Sequence, residues 1–310
     1  MTELTVRVTD RRDVAEGVFA LDLAAVHGGA LPTWSAGAHI DVGVGAAGVR
    51  QYSLCGDPGD DRRWRIAILH EPGGRGGSDH LHRTAAPGTE LSVSLPRNHF
   101  ELVAAPEYLF VAGGIGITPI LPMLAAAERA GARWTLHYGA RTRAHLAFAD
   151  ELARRYPGVV NLVPQNEFGV LPLERILADT AATVYCCGPA PLLDAVEKLC
   201  GSSGLAVHTE RFTARDTGDA VDREFEIRLA ASARTLRVPV GRSIAEVLES
   251  AGLPVITSCR EGTCGSCETA VLDGEIDHRD TILTAAERER GDTMMLCVSR
   301  AHTDVLVLDL

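Results

Sequence analysis

The sequence predicts a multidomain α/β and β chain: an antiparallel barrel or sandwich, then a parallel α/β sheet, then a smaller region built around cysteines. Three observations predict it. Short, often alternating apolar runs fill the first hundred or so residues. Apolar strands then alternate with helix-length segments. After a polar stretch, three cysteines fall within nine residues of "SCREGTCGSCETAV", Ser258–Val271.

At 310 residues the chain exceeds one ordinary core. A formal net charge of -11 argues against a general nucleic-acid or anionic-membrane binder. The start, "MTELTVRVTDRRD", has no apolar signal region, so a cytoplasmic protein is expected. The uncharged run Tyr108–Ala127 has about the length of a membrane span. Gly113, Gly114, Gly116, Pro119 and Pro122 interrupt it, and a buried strand, a glycine turn and a helix start explain it better. Eight cysteines without an export signal point to metal binding rather than a disulfide framework.

The first block, 1–105, contains "LTVRVTD", "GVFALDL", "AHIDVGV", "VRQYSL", "WRIAILHE" and "ELSVSLP", six strands separated by glycine and proline turns. One helix interrupts them, "SDHLHRTA", with Ser78 as its expected cap. The second block, 106–215, pairs strand with helix. "EYLFVAGG" precedes "TPILPMLAAAERAG", "RWTLHYGAR" precedes "AHLAFADELARRYP", and "TVYCCGP" precedes "APLLDAVEKLCGSSG". A polar linker is expected at 216–223. The third block, 224–310, opens with strands "EFEIRLA" and "RTLRVPV" and the helix "SIAEVLESAG".

Cys259-x4-Cys264-x2-Cys267, followed at a distance by Cys297, is the spacing of a plant-type 2Fe–2S site. Small residues at Gly262, Thr263, Gly265 and Ser266 leave room for backbone N–H groups near bridging sulfides. Structural zinc sites usually pair two CxxC-type hooks, whereas Cys297 stands alone. A 2Fe–2S cluster passes one electron at a time, so an electron source is expected upstream.

Two glycine turns qualify. In "VAGGIGITP", Gly113, Gly114 and Gly116 lie between strand and helix, where a pyrophosphate can approach backbone N–H groups. Packing alone is the competing explanation. "VYCCGP" ends another strand, so Cys187, Gly188 and Pro189 belong at the same sheet edge, where ligands of parallel sheets bind. Cys187 is either a nicotinamide-facing residue or a small core residue. In the barrel, "GGRGGSDH" is a second phosphate cradle, with Arg75, Gly76, Gly77 and Ser78. In "RQYSL", strand alternation sends Arg50 and Tyr52 to one face and Gln51 and Ser53 to the other.

Together "RQYSL", "GRGGS", "SLPRNHF", "GGIGITP", "YCCGP", "ERF" and the cysteine pattern run in order over nearly the whole chain. The chain resembles the ferredoxin–NADP reductase superfamily, and most closely the phthalate dioxygenase reductase family. The resemblance implies an FMN-binding β-barrel, a nicotinamide-binding α/β domain and a C-terminal β-grasp ferredoxin domain. It carries Arg50 to the flavin phosphate, Tyr52 to the isoalloxazine face, Ser53 to its edge and the "GRGGS" turn to the phosphate, with Gln51 of the same "RQYSL" motif counted among the cofactor-binding residues. It places Thr118 near the ring and Phe212 near the ring or the nicotinamide, with Glu210 a neighbour. It implies FMN rather than FAD, and cysteine ligation of the cluster.

The function implied is the reductase component of an oxygenase system. Electrons pass from NADH through FMN and the cluster to a terminal Rieske-type oxygenase or O-demethylase, in a transient complex. The alternatives are a reductase for a haem-thiolate monooxygenase and a free-standing NAD(P)H flavin reductase. Arg141 occupies the family's matching arginine position. Arg143 is either solvated or a partner for a 2′-phosphate. A monomer is expected from the family.

Overall fold

The structure is a computed structural model that describes residues 3–178, 180–214 and 222–310. It divides into two compact units, Met1–Arg211 and Phe212–Leu310. The first unit holds two sheets. Its barrel is built from β1 (Glu3–Ala15), β2 (Val18–Ala25), β3 (His39–Gly43), β4 (Val49–Ser53), β5 (Trp64–Leu69), helix α1 (Gly77–Thr84) and β6 (Glu90–Ser94). The strands run in the order β4-β3-β6-β1-β2-β5, and every pair is antiparallel. An antiparallel bridge between Leu54 and Ile66 joins the two ends of that order. Closure removes unpaired edges and encloses an apolar interior that includes Val6, Phe19, Leu21, Ile40, Trp64 and Ile66.

The expected cap of α1 differs. The residue before the helix is Gly76, at φ 79°, and Ser78 lies inside the first turn. Its Oγ accepts instead from the Glu71 N–H at 3.1 Å. The turn enters the helix through a left-handed residue, which glycine takes at little cost and serine does not.

The second sheet follows: β7 (Glu107–Gly113), α2 (Ile117–Arg129), β8 (Arg133–Ala140), α3 (Ala149–Arg155), β9 (Val160–Pro164), α4 (Gln165–Phe168), α5 (Leu173–Leu177), β10 (Thr183–Cys187), α6 (Ala190–Ser203) and β11 (Val207–Glu210). The order is β11-β10-β7-β8-β9 and all pairs are parallel. Tyr108–Gly113 of β7 is buried throughout, as a central strand covered on both faces requires. From β7 the chain builds outward through β8 and β9, then crosses back to β10. The switch point therefore lies between the carboxyl ends of β7 and β10, where such sheets bind ligands.

The helix expected over "AHLAFADELARRYP" shortens to α3, preceded by a single 3-10 turn at Arg143–His145. Leu146, Ala147 and Phe148 are all buried. Three consecutive apolar side chains cannot share one helix face, and Phe148 turns the chain at φ 62°.

The second unit contains β12 (Phe225–Leu229), β13 (Thr235–Val238), α7 (Ile244–Ser250), β14 (Glu268–Asp273), β15 (Ile276–Asp277), α8 (Ala285–Arg290), β16 (Thr293–Met295), β17 (Arg300–Ala301) and β18 (Val305–Leu308). Its mixed sheet runs β13-β12-β18-β14-β16, with β12 and β18 parallel. A full capping box between Ser243 and Glu246 starts α7. The expected linker 216–223 lies outside the described residues except for Asp222 and Arg223. Asp222 pairs with Arg279 at 2.6 Å and Arg223 donates to the Ala301 carbonyl at 3.2 Å, so both are tied into the second unit.

Candidate functional site: two glycine turns and a four-cysteine loop

In the barrel, β4 pairs with β3 so that Arg50 faces Val42, Gln51 faces Asp41, Tyr52 faces Ile40 and Ser53 faces His39. Arg50 and Tyr52 are half-buried and Ser53 is buried. Gln51 donates to Asp41 at 3.3 Å, on a carboxylate that Arg97 of "SLPRNHF" holds at 2.7 Å. The Arg50 guanidinium donates to the carbonyls of Ala47 (2.9 Å), Val49 (2.8 Å) and Arg75 (3.0 Å).

Gly77 makes this possible: a Cβ there would lie 2.5 Å from Arg50 Cγ and 2.8 Å from its Nε. A cation held by carbonyls thus stands against the first turn of α1, whose free N–H groups attract an anion. The side chain of Arg75 is exposed on the same turn. Burial pushes the Tyr52 phenol up to about 12, so it stays protonated. A phosphate on Arg50 with a flat ring along Tyr52 fits this chemistry.

At the switch point, two turns interlock. A Cβ on Gly116 would lie 2.3 Å from the Cys187 carbonyl oxygen, and one on Gly113 would lie 2.8 Å from Pro189 and Leu192 side-chain atoms. Gly188 is equally tight, 3.0 Å from the Gly113 nitrogen. Gly116 therefore serves close packing of backbone on backbone, Gly113 makes room for side chains, and Gly188 does both. Gly114 differs: it sits at φ 54° and meets nothing within 4 Å. It leads into α2, whose N-terminal turn faces the crevice end of β7. Thr118 is buried in that turn and donates to the Ile115 carbonyl at 2.9 Å.

Cys187 is wholly buried among core residues such as Ile117 and Tyr138. Burial, with the Glu210 carboxylate beside it, drives its thiol well above the usual range. Cys187 and Glu210 are register partners on β10 and β11. Glu210 as a residue is half-buried, yet its Oε2 is shielded and has no hydrogen-bond partner. Burial pushes that carboxyl up to about 8. The next residue, Arg211, is held by Asp194 at 2.6 Å and Glu197 at 2.9 Å. Phe212 follows, exposed, as the first residue of the second unit. Arg141 is exposed beyond β8, and its carbonyl accepts from the Asn166 N–H at 3.1 Å.

In the second unit the four cysteines converge. Cys259 Sγ lies within hydrogen-bond reach of Cys264 and Cys297, and Cys267 of Cys297. This sharing holds Cys259 and Cys267 below the ordinary thiol range and raises Cys264 and Cys297 above it. The Glu261 N–H donates to Cys259 Sγ at 3.3 Å and the Ser266 N–H to Cys264 Sγ at 3.4 Å. Such donors stabilise thiolate charge.

Among the described residues, no three or more His, Cys, Asp and Glu side chains surround a single ion. The thiol contacts run in one chain, Cys264 to Cys259 to Cys297 to Cys267, which brings together the four cysteines that a plant-type 2Fe–2S site uses. A fully buried residue that motif reading missed, Asp280, supports the loop. Its carboxylate accepts from Ile282 N–H (3.0 Å) and Leu283 N–H (2.8 Å), and Thr281 N–H then donates to the Gly262 carbonyl at 2.9 Å. No spacing in "DHRDT" announces that role.

Comparison with known proteins agrees with this geometry. Residues 110–198 match an oxidoreductase NAD-binding domain, and residues 227–302 match a 2Fe-2S iron-sulfur cluster binding domain. Phenoxybenzoate dioxygenase subunit beta of Ectopseudomonas oleovorans is 42% identical over 96% of this chain and 94% of its own. The solved structure of phthalate dioxygenase reductase is 38% identical and superposes with a TM-score of 0.72, over 99% of this chain and 98% of its own. The chain belongs to the phthalate dioxygenase reductase family. The same fold occurs fused within a larger protein. An intact type IV self-sufficient cytochrome P450 monooxygenase is 40% identical, with a TM-score of 0.92 over 99% of this chain. This family member spans 41% of that P450 chain. Among the described residues, no helix is long and apolar enough to cross a membrane.

Proposed function

We propose that this protein is the NADH-dependent reductase component of an oxygenase system, an iron–sulfur flavoprotein that delivers electrons to a terminal oxygenase. The observation that carries it is the convergence of Cys259, Cys264, Cys267 and Cys297 in a chain that also holds two anion-attracting glycine turns. When bound, FMN accepts a hydride from NADH and gives up electrons singly to the 2Fe–2S cluster.

The residues divide the remaining work. Arg50 and the Gly76–Gly77–Ser78 turn hold the flavin phosphate, with Arg75 as a charged helper. Tyr52 packs along the ring, Ser53 meets its edge, and Gln51 braces β4 from the other face through Asp41. Gly114 and the first turn of α2 receive the dinucleotide's pyrophosphate. Gly113, Gly116, Gly188 and Pro189 shape that crevice, with Thr118 and Cys187 in its floor. Arg141 lies at the adenosine end and Phe212 at the ring. The four cysteines ligate the cluster.

The oxygenase docks transiently at the cysteine loop, where Glu261 and Glu268 steer the encounter through charge. A haem-thiolate monooxygenase is a second candidate partner, favoured by the likeness to the fused P450 chain. The deciding experiment is Cys264→Ser. The flavin is expected to remain bound and to be bleached by NADH, while the cluster's visible and paramagnetic signals and reduction of the oxygenase are lost. Undiminished partner reduction without the cluster would leave a free-standing flavin reductase.

A further inference from the structure

We infer that Glu167, through its pairing with Arg143, makes the adenosine end of the crevice selective for a ribose bearing a free 2′-hydroxyl, and so sets the preference for NADH over NADPH. The inference rests on the nicotinamide reading above. It starts from the sheet edge. Arg143 lies in the 3-10 turn just beyond β8, and Glu167 lies in α4, directly after β9. The Asn166 N–H donates to the Arg141 carbonyl at 3.1 Å, tying the two post-strand segments together. Arg143 and Glu167 stand 3.6 Å apart.

β9 is two strands from β7, about 10 Å across the sheet. That is roughly the reach from a pyrophosphate at the start of α2 to an adenine ribose. Phe168, 66% exposed, offers a flat apolar ring at the same edge for a purine to cover.

The charges decide the specificity. A carboxylate beside the ribose accepts hydrogen bonds from its diol, whereas an arginine there accommodates a 2′-phosphate. Here the arginine is present but already paired, and the carboxylate adds repulsion toward a phosphate. An exposed pair of this kind contributes little to folding, so its loss is readable in binding without unfolding the protein.

The test titrates the wild type, Glu167→Gln and Glu167→Gln/Arg143→Ala with 5′-AMP and 2′,5′-ADP, and measures the NADPH to NADH ratio of kcat/KM for flavin reduction. Glu167→Gln is expected to tighten 2′,5′-ADP about tenfold relative to 5′-AMP, about 1.4 kcal/mol. It should raise the NADPH to NADH ratio by a similar factor, with both effects fading at high salt. The added Arg143→Ala is expected to cancel the gain. If Glu167→Gln rejects the 2′-phosphate as strongly as the wild type does, the inference is overturned while the nicotinamide reading stands. A wild type that binds and oxidises neither dinucleotide overturns both.

Discussion

Two glycine turns in the first unit look alike in sequence, "GGRGGSD" before α1 and "GGIGITP" before α2, yet their glycines do different jobs. In the barrel turn, Gly77 clears space for a charged side chain, with Arg50 Cγ 2.5 Å from where a Cβ would be. In the sheet turn, Gly116 clears space for main chain, the Cys187 carbonyl at 2.3 Å. A long arginine can swing away. A carbonyl at the end of a buried strand cannot move without disturbing β10. The same residue type therefore guards ligand affinity in one turn and the fold in the other.

The largest expected effect tests the second half of that contrast. Gly116→Ala should destabilise the first unit by about 3 kcal/mol, the upper range for overpacking a tight interior. That corresponds to a fall of about 6–12 °C in melting temperature for a unit of this size. A melting temperature within 2 °C of wild type, or roughly that, would show that the interlocked turns relax easily. Gly77→Ala should do the reverse. Stability stays within about 1 kcal/mol, the low end for overpacking a buried position, because the side chain that Gly77 is buried against is a long arginine. Flavin retention weakens by about 1.5–3 kcal/mol, the range of a charge-assisted contact, seen as faster flavin loss on dilution. Arg50→Ala should match it; full flavin affinity in either variant would detach Arg50 from the phosphate.

The smallest effect concerns the closed floor of the sheet crevice. Glu210's folded pKa of about 8 lies above the ordinary carboxyl value of 4.5. The folded state thus binds the proton more tightly, and the linked stability is fully present below about 4.5 and lost as pH rises through about 8. Wild-type melting temperature should fall from pH 5 to pH 9 by a few degrees more than that of Glu210→Gln. Parallel pH profiles would mean that the carboxyl is hydrated in solution.

Much of the candidate site was legible before any fold. Cysteine spacing is a local signal, because ligands on one short loop must be close whatever surrounds them; Cys259, Cys264 and Cys267 needed only their intervals. Strand and helix rhythm was similarly local, and the six barrel strands were all visible as apolar runs. Cys297 could be attached only through the resemblance and the plant-type spacing. Its approach depends on β16 delivering it to the loop, where Leu296 N–H donates to the Cys267 carbonyl. Strand β9, the pairing of Arg143 with Glu167, and Asp280 beneath Gly262 had no sequence signature, since each depends on segments meeting across a sheet or a core.

By itself, then, the sequence determined the order of the barrel, sheet and cysteine regions, the cluster type and the positions of both glycine turns. Those features are set by periodicity, small residues and short spacings along one chain. Only the tertiary structure decided what each glycine makes room for, that Ser78 lies within α1 while Gly76 precedes it, and that Glu210's Oε2 is buried without a partner. Excluded volume and dehydration are properties of what folds against a residue, and its neighbours in sequence do not carry them.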